Sequence, residues 1–181
     1  MFKIGPVGNA SSGCPWDEWD RVGIAQIFIS HGDMIHSLQF QFVENGTLVL
    51  SDKHGRDCGY DAAPKFKAIK LRYPSELIIG ICGSYGIRSG QQIVPSISFC
   101  TNLAAYGPFG RRGQEDIAFD YQVGLHNKFC GFHGAASMYL NSIGVYMEPM
   151  TTLSSANNPN EMALPCCQST ERRPAMAACP L

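Results

Sequence analysis

Apolar side chains recur at every second position along most of the chain up to about residue 148, and no stretch of ten residues keeps a 3.6-residue apolar period. In "SLQFQFV", Leu38, Phe40 and Phe42 alternate with Ser37, Gln39 and Gln41. In "IKLRY", Ile69, Leu71 and Tyr73 alternate with Lys70 and Arg72, and "IAFDYQV" sets Ile117, Phe119, Tyr121 and Val123 on one face. Successive side chains of a strand point to opposite sides, so this pattern predicts antiparallel strands with one face buried and one wet. Turn signals separate the runs: Glu44-Asn45-Gly46, His54-Gly55, Tyr73-Pro74, Gly83, Tyr106-Gly107-Pro108, Gly110 and Gly113. Short strands at this spacing predict an all-β domain that closes on itself or stacks several sheets, with almost no helix.

The pattern stops at Pro149. Residues 150–181 are rich in Pro, Ser, Asn and Ala, poor in aromatics and without alternation. Such a segment buries too little apolar surface to offset chain entropy, so a folded domain over 1–149 and a flexible C-terminal tail over 150–181 are expected. Cys166 and Cys167 in the tail suit palmitoylation chemistry, but an unmodified terminus is the simpler expectation, and Cys179 lies one place too close to the end for a prenylation box. A formal net charge of −1, with no Lys or Arg run, argues against nucleic acid as a partner. No apolar run approaches the roughly 20 residues of a membrane span.

The eight cysteines include no Cys-x-x-Cys pair, so no zinc site is expected. Cys82, Cys100 and Cys130 fall inside apolar strands, where free thiols behave as small hydrophobes. The N-terminus "MFKIGPVGNA" lacks an apolar secretory core. A reducing compartment, cytoplasmic or nucleocytoplasmic, is therefore expected, with the sequons at Asn9 and Asn45 unused. His31, His36, His54, His126 and His133 show no metal-ligand spacing. "SDKHGRD" gathers Asp52, His54 and Asp57, yet without a nucleophile motif it reads as a solvated loop. "GPVGNASSG" and "YGPFGRRG" miss the phosphate-loop and dinucleotide patterns because no helix follows them. No enzyme, metal or cofactor is expected.

Several motifs in fixed order carry a more specific message: "KIGPVG…GCPWDEW", "GIAQIFIS", "YPSELIIGICG", "ISFCTN", "YGPFG" and "GFHGAASMYLNSIGVY". Over residues 3–149 the chain resembles the plant jacalin-related lectins. The resemblance implies a β-prism I fold, with three four-stranded antiparallel sheets around a pseudo-threefold axis. It implies metal-free, non-enzymatic binding of mannose- or glucose-type glycans in a homo-oligomer with a role in plant defence. In that family the sugar sits between an N-terminal glycine-rich loop and a Gly-x-x-x-Asp turn joining the last two strands. Here the loop residue corresponds to Gly13, or to Ser12 because one residue is extra before Trp16, and the turn to Ser137, Met138, Tyr139, Leu140 and Asn141. Tyr85 in "GSYGIRSGQQ" is either a stacking platform for a sugar face or a hairpin aromatic covering the barrel end. Trp16 and Phe132 are expected in packing roles, and Tyr106–Gly110 as a rigid turn.

Both ends of the turn depart from the family pattern. Ser137 replaces Gly, which would cost about 1 kcal/mol or more if the position required positive φ. Asn141 replaces Asp; charge-assisted hydrogen bonds contribute about 1.5–3 kcal/mol and neutral ones about 1, so the exchange removes on the order of 1–2 kcal/mol. A monovalent millimolar sugar site amounts to only about −4 kcal/mol. The alternative is therefore a β-prism with a degenerate sugar site, acting through protein partners. The stretch "QIFISHG…SLQFQFVENGTLVLSDKHG" supports it, being most similar to family members that restrict long-distance virus movement in plants.

Overall fold

The computed structural model describes residues 1–21, 23–56, 64–122 and 127–149. Asp57, Val123, His126 and the whole segment 150–181 lie outside them. The described residues form thirteen strands in chain order: β1 (Phe2–Gly8), β2 (Cys14–Glu18), β3 (Ile24–His31), β4 (Ile35–Glu44), β5 (Thr47–Leu50), β6 (His54–Gly55), β7 (Lys65–Lys70), β8 (Ile78–Arg88), β9 (Gln91–Thr101), β10 (Ala105–Gly110), β11 (Ile117–Gln122), β12 (Asn127–Ala136) and β13 (Leu140–Pro149). Among the described residues there is no helix.

The strands form three antiparallel sheets, ordered β1-β13-β12-β2, β10-β9-β8-β11 and β5-β4-β3-β7. A long hairpin lies at the centre of each sheet, flanked by shorter outer strands. The third sheet has five strands where four are expected. Its outer edge is broken in two: β5 pairs with β4 at residues 41–44 and β6 pairs with the same strand at 37 and 38. The first sheet joins the N-terminal β1 and β2 to the C-terminal hairpin β12–β13, so both ends of the domain share one layer.

The alternating apolar residues meet in one core. Phe40 of β4, Phe99 of β9 and Phe132 of β12 are fully buried, one from each sheet. The Phe40 and Phe132 rings stack with centroids 4.5 Å apart, and Phe99 meets Phe132 edge-on at 6.0 Å. Offset and edge-to-face geometries are the favourable ones for ring quadrupoles. Ile27, Leu38, Ile81, Ile97 and Ile143 surround them, all without exposure.

The sheets also repeat a local device. Gly8, Gly55 and Gly110, each on an outer strand, have positive φ and pair with Ser142, Ser37 and Ser96. A methyl on any of them would collide with the carbonyl oxygen of Asn141, His36 or Pro95 respectively. Glycine is required there by strand proximity as well as by backbone conformation. Three equivalent glycines, one per sheet, express the pseudo-threefold symmetry in backbone terms.

Four expectations need correction. Tyr106–Gly110 forms the outer strand β10, bulged between Tyr106 and Phe109, rather than a turn. Ile117 is exposed because it begins the edge strand β11, whose inward face starts at Phe119. Cys82 and Cys100, on neighbouring strands, are disulfide-bonded, whereas Cys130 is a buried free thiol. Burial alone made all three look alike in the sequence. His54 is buried, not solvated: its Nε2 lies 2.8 Å from Glu18 Oε1, and Trp16 stacks on it at 4.2 Å and 10°. Glu18 also accepts from Arg21 Nε at 3.3 Å, and Arg21 pairs with Glu44 and lies over the Phe42 ring. This network joins β2 to the neighbouring sheet.

Burial holds the His54 imidazole below the ordinary histidine value of 6.5, against the opposing pull of Glu18. Burial, with the Lys3 charge, does the same to His133. The folded state thus favours both neutral rings, so their contribution is complete above about 6.5 and is lost as pH falls. Asp116, held low by the Arg88 guanidinium, adds a further loss below its ordinary 3.8. Burial works against Glu76, but hydrogen bonds from Tyr106, the Arg72 amide and Thr101 prevail and hold it below its ordinary 4.5.

Two measurements check this account. Phe132→Ala should cost about 3–5 kcal/mol in urea unfolding, and a loss under about 1 kcal/mol would show that the sheets share no central core. Unfolding free energy should decline by on the order of 1 kcal/mol between pH 7 and pH 5, with a shallower slope in the double variant His54→Gln, His133→Gln. An unchanged slope in that variant would remove the two histidines from the explanation.

Candidate functional site

The tips of the three central hairpins lie at one end of the prism and line a single cleft of about 780 Å³. The β12–β13 turn supplies Ser137, Met138 and Tyr139, and the N-terminal loop supplies Gly13 and Cys14. Met34 enters from the β3–β4 hairpin, Lys53, Gly55 and Arg56 from around β6, and Arg88, Ser89 and Gln91 from the β8–β9 hairpin. Residues distant in sequence are brought together because β2 pairs with β12, setting Cys14 opposite Ala136.

Of the residues singled out in the sequence, Gly13, Ser137, Met138 and Tyr139 line this cleft. Gly13 has φ +86°, and a methyl there would lie 2.6 Å from the Ala136 carbonyl oxygen and 2.8 Å from Asn141 Oδ1. Glycine is therefore what lets the N-terminal loop rest directly on the turn. Ser137 has no positive φ; among described non-glycine residues only Asp20, Asn45 and Ser89 do. The strain expected for Ser137 is absent, and its amide donates to the Tyr139 carbonyl at 2.9 Å to close the turn. Tyr139 is buried, its ring 5.7 Å from that of His36.

Asn141 does not line the cleft. It lies beneath Gly13, fully buried, and its carbonyl accepts from the Asn9 amide at 2.9 Å. Among the described residues, neither its side-chain oxygen nor its nitrogen has a hydrogen-bond partner. A buried amide left unsatisfied costs about 1–3 kcal/mol. Tyr85 is also off the cleft, packed against the core, and its strand reaches the cleft by way of Arg88.

Sequence reasoning missed the contributors from the other two sheets. Met34, Arg56 and Arg88 stand in no motif with the last turn, and only the convergence of hairpin tips unites them. A smaller cleft of about 290 Å³ beside it exposes Asp17, Asp52 and Lys53 around the Glu18–His54 pair. His54 is committed there to Glu18 and Trp16. Among the described residues, no three His, Cys, Asp or Glu side chains converge as a metal site.

Because neither polar atom of Asn141 has a hydrogen-bond partner among the described residues, an apolar group of similar shape should fit better there. Asn141→Leu is expected to raise stability by about 1 kcal/mol in thermal or urea unfolding. A clear loss would show that the amide is hydrogen-bonded in solution.

Comparison with known proteins agrees with this geometry. Residues 4–146 match the family model of the jacalin-like lectin domain. The protein RESTRICTED TEV MOVEMENT 1 of Arabidopsis thaliana is 42% identical over 167 residues, covering 88% of this chain and 94% of that protein. Jacalin-related lectin 2 of the same plant is 40% identical, covering 82% and 86%. A mannose-specific jacalin-related lectin from Morus nigra, solved in complex with mannose, superposes with a TM-score of 0.72 at 26% identity, over 81% of this chain and 94% of that one. Three antiparallel sheets, one glycine at the same place on each, and an N-terminal loop seated on the last hairpin turn are thus those of a β-prism lectin, and the chain belongs to the jacalin-related lectin family.

Proposed function

We propose that this protein is a carbohydrate-binding module whose cleft takes a mannose- or glucose-type saccharide without metal or covalent chemistry. One observation carries the reading: the Gly13 loop and the 137–139 turn meet in one cleft. A hexose edge offers paired hydroxyls, each donor and acceptor, which suits closely spaced backbone groups. Because Asn141 is covered by Gly13, the direct contacts fall to the backbone and to the cleft-lining side chains. Each site is therefore weak, in the millimolar range, about −4 kcal/mol. Self-association raises avidity by about 10²–10⁴. Leu48, Leu50 and Phe66, exposed on β5 and β7, are apolar edges that suit contact between copies.

A second reading rests on the 42% identity with RESTRICTED TEV MOVEMENT 1 over most of both chains. In it the prism acts through protein partners in limiting virus movement, and the buried neutral Asn141 marks a sugar site no longer under use.

Titration calorimetry with methyl α-mannoside separates the two. Saturable millimolar binding, abolished by Gly13→Ala, is the expected result, because the added methyl meets the Ala136 carbonyl and the Asn141 side chain. No binding to the folded protein at tens of millimolar would overturn the saccharide reading and leave the protein-partner one.

A further inference from the structure

Among the described residues, the cleft is bordered by cations and by no carboxylate. Lys53, Arg56 and Arg88 line it. A second cleft of about 480 Å³ opens beside it, sharing Met34 and Arg88 and adding Arg111 and Arg112, with Asp33 the one acidic residue in its described lining. Among the described residues, the two clefts thus hold five lysines and arginines but a single carboxylate, Asp33. In a chain of net charge −1, this end of the prism stands apart.

The five cations are not equally available. Arg88 grips Asp116 with both terminal nitrogens, at 2.7 and 2.6 Å, and Asp116 accepts from the Gly113 amide at 2.6 Å. Lys53 has a partner within the chain. Arg112 reaches the Asp116 carbonyl at 3.4 Å. Arg56 and Arg111 are different: both are exposed and engage through their backbone amides, to His36 and Asp33 carbonyls at 3.2 and 2.8 Å. Their guanidinium groups have no hydrogen bond or ion pair among the described residues. At the cleft, the amides of Gly13 and Met138 are likewise without a backbone acceptor among the described residues.

We infer that the cleft selects an acidic saccharide, a hexose bearing a carboxylate, sulfate or phosphate, and this inference rests on the saccharide reading above. The sugar hydroxyls meet the 137–139 turn and Gly13. The anionic group meets Arg56, whose planar fork matches a two-oxygen anion. Arg111, in the adjoining cleft, takes charge on a following sugar residue. The neutral side chain at 141 fits the same ligand, since a carboxylate beside the cleft would repel it.

Calorimetry on the full chain with methyl α-mannoside, its 6-sulfate, methyl glucuronide and inorganic sulfate tests the inference. A charged glycoside should bind about tenfold tighter than the neutral one, as one charge-assisted pair implies. The preference should shrink when salt rises from about 0.05 M to about 0.5 M, because exposed charges are screened. In the double variant Arg56→Gln, Arg111→Gln the ratio of charged to neutral affinity should fall toward one, with thermal unfolding reporting that the variant is folded. Arg56→Lys, which keeps the charge and loses the fork, should retain part of the ratio. The sulfate and glucuronide arms distinguish the two anion chemistries. Equal affinity for charged and neutral glycosides overturns this inference and leaves the saccharide reading standing. Binding of no glycoside overturns that reading itself. Inorganic sulfate bound as tightly as the sulfated sugar overturns the inference in favour of plain anion capture.

Discussion

Three sheets can close into a prism only if each gives side chains to a space that none fills alone. Phe40, Phe99 and Phe132 occupy that space, and Phe132 touches both of the others. Close-packed interiors tolerate little change of volume, so the mutual angle of the sheets follows from how these rings interlock. The hairpin tips lie at the ends of the strands bearing these rings, and their convergence on one cleft is a consequence of the packing. Binding geometry at the end of the prism is therefore set from its axis.

Much of this architecture could be read from residue patterns. "SLQFQFV" became β4 with Leu38, Phe40 and Phe42 fully buried, and Ile69 and Leu71 were buried as their spacing required. Where reading failed, a local signal was ambiguous. A Gly-Pro pair marks a turn by composition, yet in "AYGPFG" the outer strand takes it up at a bulge, where a missing amide hydrogen is harmless. Buried cysteines look alike as letters, and only strand adjacency separates Cys82 and Cys100 from Cys130. His54 sits among charged letters, but its real neighbours, Glu18 and Trp16, come from another sheet.

The cleft was legible in half. Gly13 and the 137–139 turn were found through a family motif, and the structure places them together. The motif could say nothing of depth: Asn141, its last member, is fully buried beside the Gly13 loop. Nor could it say that Ser137 would avoid the left-handed region, because the turn closes through its own amide. The arginines at the rim have no periodic or motif signature. They become a group only when three sheets end at one place.

The glycines at 8, 55 and 110 also bear on how such a protein can change. Each locks an outer strand onto a hairpin's second arm, so the prism carries the same backbone frame in triplicate. The residue each glycine covers differs: asparagine on one sheet, histidine on the next, proline on the third. A scaffold of this kind can lose or alter the chemistry of one corner without disturbing the other two, because the frame depends on the glycine and not on what it covers. What each corner can become is limited in turn by room, since Asn141 and His36 are without exposure and Pro95 is buried, so a replacement must match the volume it inherits.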